Sequence, residues 1–351
     1  MPTKRIAYID AMRGFTMILV VYSHVCGFCL GNRSMGFNDV LFLFRLPCFF
    51  FISGWLFYKA GRVWNRQTVR QVVSRKFMVQ IVPTFIFLLL LVTVHDGQSP
   101  MVFFSRLGAT KGGYWFTFAL FEFFVIYILS ALPFRKRSGE GLQLCIAVAI
   151  SALAFCYDVY YHQLTLHLSP FTPHLSPLTI LGFLSFMTWR YYLFFYIGTL
   201  VKRHFETFVA WTDKPLVMVG VFFGFVAVAL VPHSDAVVRE YLVFAIGGVC
   251  GMTLVFTLFR RLSPLISHFS PLTLVGRRTL DIYLLHYFFL PRFLLSYGEQ
   301  LRSYDNPLLE SVVALLLALL VTAVCVLVSS LIRLSPFLGH YLFGVDYEKK
   351  Q

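Results

Sequence analysis

Charge is scarce in this chain of 351 residues. Asp, Glu, Lys and Arg together make up 13% of it, against about 25% in an ordinary soluble domain. Hydrophobic residues reach 58%, so a soluble fold of this size is excluded. Acidic residues are the scarcer sign, 16 against 30 basic ones. No soluble segment remains to gather those basic residues into one face, and this excludes a nucleic-acid partner. Cysteine supplies no disulfide framework, because all seven cysteines lie inside apolar segments. Cys26 and Cys29 form a lone CxxC with no second pair, which reads as packing and not as a redox or zinc site. The three histidines of His162–Pro177 are spaced by five and seven with no acidic neighbour. That is a poor metal pattern, and the stretch reads as a proline-stiffened outer lid. A small-residue cleavage site is missing after the basic Lys4 and Arg5, so the first apolar run is a retained helix and not a signal peptide. Similarity between the two halves is also missing beyond Ser-Pro turns at Ser169, Ser176, Ser263 and Ser270.

What the chain does have is membrane-length apolar runs. Hydropathy places about ten spans, near 12–31, 37–58, 72–94, 114–133, 142–161, 178–201, 215–232, 238–259, 276–296 and 308–332. The expected class is all-α, a polytopic helix bundle forming one membrane domain over 1–351. Basic residues test the threading. With the N-terminus inside, inner segments hold 21 Lys and Arg, outer loops hold Arg33, Arg106, Lys111, Arg239, Arg292 and Arg302, and the spans hold Arg13, Arg45 and Arg190. This asymmetry predicts an even number of spans with both termini cytoplasmic. The chain ends soon after the last span, so no appended domain is expected to present a substrate.

Ionisable residues inside apolar helices are costly and call for compensation. Asp10–Gly31 carries Arg13 and His24, eleven residues apart, which is three turns on one face and roughly 16 Å along the axis. In the second span Pro47 frees a carbonyl and Ser53 with Gly54 permits close helix approach, so this span is expected to kink against the first. Arg45 there needs an acid or a cavity, and Glu122 at similar depth is the expected mate. Arg75 and Lys76 end the most basic loop and enter the third span before Pro83. Such residues suit phosphate groups of a soluble donor, although the loop as a whole also reads as a topology signal. Trp115 follows paired glycines at the outer surface, as an interface anchor or a sugar-stacking platform. The ninth span carries Asp281, Tyr283 and His286, of which the last two are adjacent on one face.

Five segments together resemble the membrane acyltransferase family 3, in that family's order and over about residues 5–330. They are MRGFTMILVVYSH, FRLPCFFFISGWLF, SRKFMVQIVPTF, YWFTFALF and LDIYLLHY. The pattern is most similar to the sugar O-acetylase branch. It departs at Arg45 and Leu46, where the second-span motif often has His-Met before the proline, and at Gln80, where an arginine usually precedes Ile-x-Pro.

The resemblance implies transfer of an acyl group, usually acetyl, from cytoplasmic acyl-CoA to a hydroxyl of a carbohydrate or lipid-linked glycan. His24 is then the general base or, in a competing mechanism, is itself transiently acylated, and Arg13 meets the donor's anionic end or orients Asp10. Arg75, Lys76 and Ser53 fall on the acyl-CoA side. Arg45, Glu122, Trp115, Arg190, Tyr283 and His286 fall on the acceptor or supporting side. No metal and no permanently bound cofactor are implied, and the expected home is a bacterial cytoplasmic membrane. A secondary transporter or channel would also bury ionisable residues, but would show flux without acyl-CoA turnover. A non-catalytic scaffold would tolerate replacement of Arg13 and His24.

Overall fold

In lipid every backbone polar group must be satisfied within the protein, and a chain this apolar can do so segment by segment only as helix. A computed structural model describes residues 5–109, 111–132, 139–168, 185–232, 234, 236–266 and 270–344, and these contain helices, turns and no strand.

In chain order the helices are α1 Ala7–His24, α2 Asn38–Phe57, α3 Arg66–Lys76, α4 Val82–Leu90, α5 Val102–Ala109, α6 Trp115–Ala131, α7 Glu140–Leu168 and α8 Tyr192–Arg203. They continue as α9 Phe205–Thr212, α10 Pro215–Ala229, α11 Val237–Arg261, α12 Pro271–Arg277, α13 Thr279–Phe289, α14 Leu295–Arg302, α15 Pro307–Ile332 and α16 Pro336–Phe343. Wider π turns follow α1 at Val25–Cys29, join α3 to α4 at Phe77–Ile81, and extend α4 at Leu91–His95. The helix starts follow local rules. Asn65, Ser270 and Asn306 each accept a backbone N–H of the first turn, and Pro215, Pro271 and Pro307 occupy first-turn positions where no N–H is needed.

Among the described residues six helical runs are long and apolar enough to cross a bilayer: Ala7–Cys29, Asn38–Phe57, Arg66–His95, Glu140–Tyr160, Val237–Arg261 and Pro307–Ile332. A seventh arises if α9 and α10, bent by 83°, count as one span. The chain is a multi-pass, all-α membrane protein. The sequence count of ten includes shorter or interrupted segments. The fourth is α6, with 17 residues. The sixth is represented by the 12 residues of α8, its first residues 178–184 lying outside the described set. The ninth divides into α12, α13 and α14. The break after α13 has a clear cause, since Leu290 precedes Pro291 and is forced out of helical geometry to φ −67°, ψ 120°.

The chain divides into two compact units. One comprises Met1–Ile52, Glu206–Pro232 and Val243–Gly339, and the other Ser53–Phe205, His233–Leu242 and His340–Gln351. In the first unit α1 and α12 cross backbone to backbone. A Cβ on Gly14 would stand 2.1 Å from the Leu272 carbonyl oxygen, and one on Gly276 only 1.7 Å from that of Asp10. Only glycine fits either position, which is how small residues let membrane helices approach. In the second unit Gly54 does the same against α8, where its Cβ would meet the Phe195 carbonyl oxygen at 1.9 Å. The close approach expected at Gly54 is therefore made to Phe195.

Candidate active site

The tight crossing of α1 with α12 decides what the polar residues of α1 can reach. Asp10, buried at the crossing, lies 3.6 Å from Arg277 Nε. Arg13, one turn further, donates from Nη2 to Thr279 Oγ1 at 2.6 Å. Thr279 opens α13, and His286 lies seven residues later, two turns along the same face. At that level His24 meets it, with His24 Nδ1 2.6 Å from His286 Nε2. Arg13 and His24 therefore reach the same neighbouring helix, and α1 and α13 run side by side in the same sense.

His24 is the last α-helical residue before the π turn Val25–Cys29. A π turn inserts a residue and is frequent at functional positions. The His24 ring stacks on His286 at 4.8 Å between centroids and is flanked by Tyr287 at 5.1 Å and Phe28 at 5.7 Å. His286 is fully buried, and its Nδ1 lies 3.1 Å from the Ile282 carbonyl oxygen. His24 is only partly buried, and its Nε2 has no hydrogen-bond partner among the described residues. Tyr283 packs against His286 at 5.9 Å.

The base of α13 is anchored independently. Asp281 accepts two bonds of 2.8 Å from Arg333 Nε and Nη2, is 3.4 Å from Arg278 Nη1, and accepts the Ser329 hydroxyl. A bidentate guanidinium pair of this kind fixes orientation as well as charge, so the helix that presents His286 is locked to α15. Beside His24, Asn38 donates to Ser23 Oγ at 3.4 Å and accepts from Arg45 Nη1 at 2.6 Å. Arg45 is buried and seven residues from Asn38 on the same helix face.

The remaining candidates belong to the second unit. Glu122 accepts Trp189 Nε1 at 2.6 Å. Arg45 and Glu122, expected to pair, thus each have a polar partner within their own unit. Arg190 pairs with Asp158 at 2.5 Å and lies over the Tyr191 ring, on whose plane Trp115 also stacks, 22° from parallel. Lys76 Nζ sits 4.3 Å from the Phe124 ring centroid, Arg75 is exposed, and Ser53 is half-buried one residue before Gly54. The structure therefore brings His24 and His286 together, with Tyr283 against His286, places Arg13 on Thr279 of the same helix two turns away, and groups Glu122 with Trp189 and Arg190 with Asp158. The expected outer lid His162–Pro177 lies outside the residues whose side chains are described.

Sequence reasoning missed Thr279, Tyr287 and Asn38. The first carried a usable signal, because Thr279 and His286, seven residues apart, fall on one helix face two turns apart, as Arg13 and His24 do over three turns. Tyr287 and Asn38 carried none, since an aromatic or an asparagine in this chain has no periodic partner.

A family model described as an acyltransferase domain, of acyltransferase family 3, matches residues 6–332. No curated protein and no solved structure matches the chain.

Proposed function

This chain belongs to the membrane acyltransferase family 3, and from that membership we propose that it moves an acyl group, acetyl in the first instance, from cytoplasmic acyl-CoA to a hydroxyl of a carbohydrate or lipid-linked glycan. The observation that carries the reading is the His24 ring, partly exposed on a helix whose other faces are packed, with one nitrogen engaged by His286 and Nε2 unclaimed among the described residues. Among side chains an imidazole is the commonest general base.

The chemistry closes on that one nitrogen. His24 Nε2 takes the proton of the acceptor hydroxyl as its oxygen attacks the thioester carbon. The tetrahedral adduct collapses with cleavage of the C–S bond, and the imidazolium returns the proton to the departing thiolate. Arg13, eleven residues toward the N-terminus, is the donor-side cation, and Arg75 and Lys76 are the candidates for the phosphates of the carrier. Arg45, Glu122, Trp115 and Arg190 belong to the acceptor side in this reading, and the enzyme sits in a bacterial cytoplasmic membrane.

The test uses purified protein in nanodiscs, labelled acetyl-CoA and cell-envelope glycan. His24→Ala should lower transfer by at least about 10²-fold, the usual worth of a general base, while leaving acetyl-CoA binding within about twofold, because the imidazole acts on the transition state and not on the bound donor. Wild-type transfer by a monodisperse His24→Ala protein would remove His24 from the mechanism.

A further inference from the structure

The protons of the His24–His286 contact follow from the acceptor at its far end. A backbone carbonyl accepts and never donates. The 3.1 Å approach of His286 Nδ1 to the Ile282 carbonyl oxygen therefore places a proton on that Nδ1. A neutral imidazole carries one N–H, so His286 Nε2 presents a lone pair. Two ring nitrogens 2.6 Å apart share one hydrogen, and with His286 Nε2 as acceptor it belongs to His24 Nδ1. The single N–H of neutral His24 is then spent inside the protein, and its Nε2 is left as an acceptor.

We propose that His286 is a positioning residue: its Nε2, oriented by the Ile282 carbonyl, holds the proton of His24 on Nδ1 and keeps His24 Nε2 free to take a proton. The proposal rests on the reading of His24 as the base. It assigns to a neutral histidine the work that a buried carboxylate does in the serine-hydrolase triad, which is to hold the imidazole in the correct tautomer and to stabilise the imidazolium once it forms. When His24 becomes doubly protonated, the bond from its Nδ1–H to His286 becomes charge-assisted and strengthens. No proton passes through His286.

The surroundings suit this assignment. Tyr287 packs 4.1 Å from the His286 ring and 5.1 Å from that of His24, so both rings are clamped by one neighbour. The Arg13 bond to Thr279 fixes the register of α1 on α13 at the other end. The four contacts of the Asp281 carboxylate, five residues before His286, fix α13 itself. Free imidazole favours the opposite tautomer, with the proton on Nε2, which would leave His24 unable to act; a dedicated acceptor at Nδ1 reverses that preference.

Three variants and one spectrum test the assignment. In protein labelled with 15N in its histidine rings, His24 should show a protonated Nδ1 and a bare Nε2 at neutral pH, and the reverse would overturn the proposal. His286→Leu removes the acceptor and should lower kcat by about 10²-fold or more, with the KM for acetyl-CoA within about twofold and the His24 proton redistributed toward Nε2. His286→Gln offers a side-chain oxygen close to the position of Nε2 and should recover most of that loss and restore the His24 tautomer. A glutamine variant no better than leucine, or a leucine variant at the wild-type rate with an unaltered His24 spectrum, would overturn it. His24→Ala separates the two readings. If that variant is inactive while His286→Leu is fully active, only the positioning role fails; if His24→Ala is active, the base itself fails.

Discussion

At Arg13 a guanidinium inside an apolar helix is met by a hydroxyl, and this sets what its replacement costs. Hydrogen bonds to charged groups contribute about 1.5–3 kcal/mol, so Thr279→Val, which keeps the shape and removes the acceptor, should lower the melting temperature in detergent. Arg13→Lys should recover only part of the donor affinity lost in Arg13→Ala, because a point charge cannot reproduce a planar fork of donors. Equal acetyl-CoA affinities for the lysine and alanine variants would show that no such geometry is used. Asp96 supplies a pH effect at the same scale, outside the membrane spans. Burial raises its carboxyl pKa, but hydrogen bonds from His95 at 2.7 Å and Arg106 at 2.5 Å, together with their charge, outweigh burial and leave it lowered. A carboxylate depressed on folding adds stability that is complete above its unfolded pKa of about 3.9 and is lost as pH falls through the folded value. Asp96→Asn should therefore flatten the acid limb of melting temperature against pH below about pH 4. An unchanged limb would show that this cluster contributes nothing.

Among the elements, the crossing of α1 with α12 is the most exacting. A Cβ at position 276 meets a carbonyl oxygen at 1.7 Å, and a backbone oxygen cannot rotate away as a side chain can. Gly276→Ala must push the two helices apart and should cost about 1–3 kcal/mol or more, with transfer lost along with stability because Arg13 and Thr279 separate. Gly220 in α10 is the control, since a Cβ there meets nothing within 4 Å. Gly220→Ala should leave activity unchanged and raise stability by about 0.5–1 kcal/mol through helix propensity. Thermal unfolding of the two variants in parallel decides the matter: equal melting temperatures would mean that the close crossing is relaxed in the protein.

For the molecule as a whole, threading through the membrane is set by its basic residues. With 21 Lys and Arg assigned to inner segments, reporter fusions after Lys76, Arg137, Lys214 and Gln351 should read as cytoplasmic, and fusions near Gly108 and Thr172 as external. A fusion at Gln351 that reads as external would overturn the even number of spans.

The sequence by itself determined the class, an all-α membrane protein. Apolar composition leaves helix as the only spanning form, and hydropathy and capping residues are local properties that can be read one segment at a time. Ser270–Pro271 announces the start of α12 in this way, as Asn306–Pro307 does for α15. It also placed Arg13 and His24 on one face, because helical periodicity is rigid over three turns. What they face was decided only in three dimensions. His24 and His286 are 262 residues apart, and no local rule links them. Their meeting depends on two glycines that let α1 and α12 touch, on Leu290 and Pro291 ending α13 just beyond His286, and on Asp281 locking that helix to α15. The division of the ninth span into α12, α13 and α14 was hidden for the same reason. Continuous hydropathy looks alike whether a helix runs straight or breaks, and packing against neighbours chooses between them.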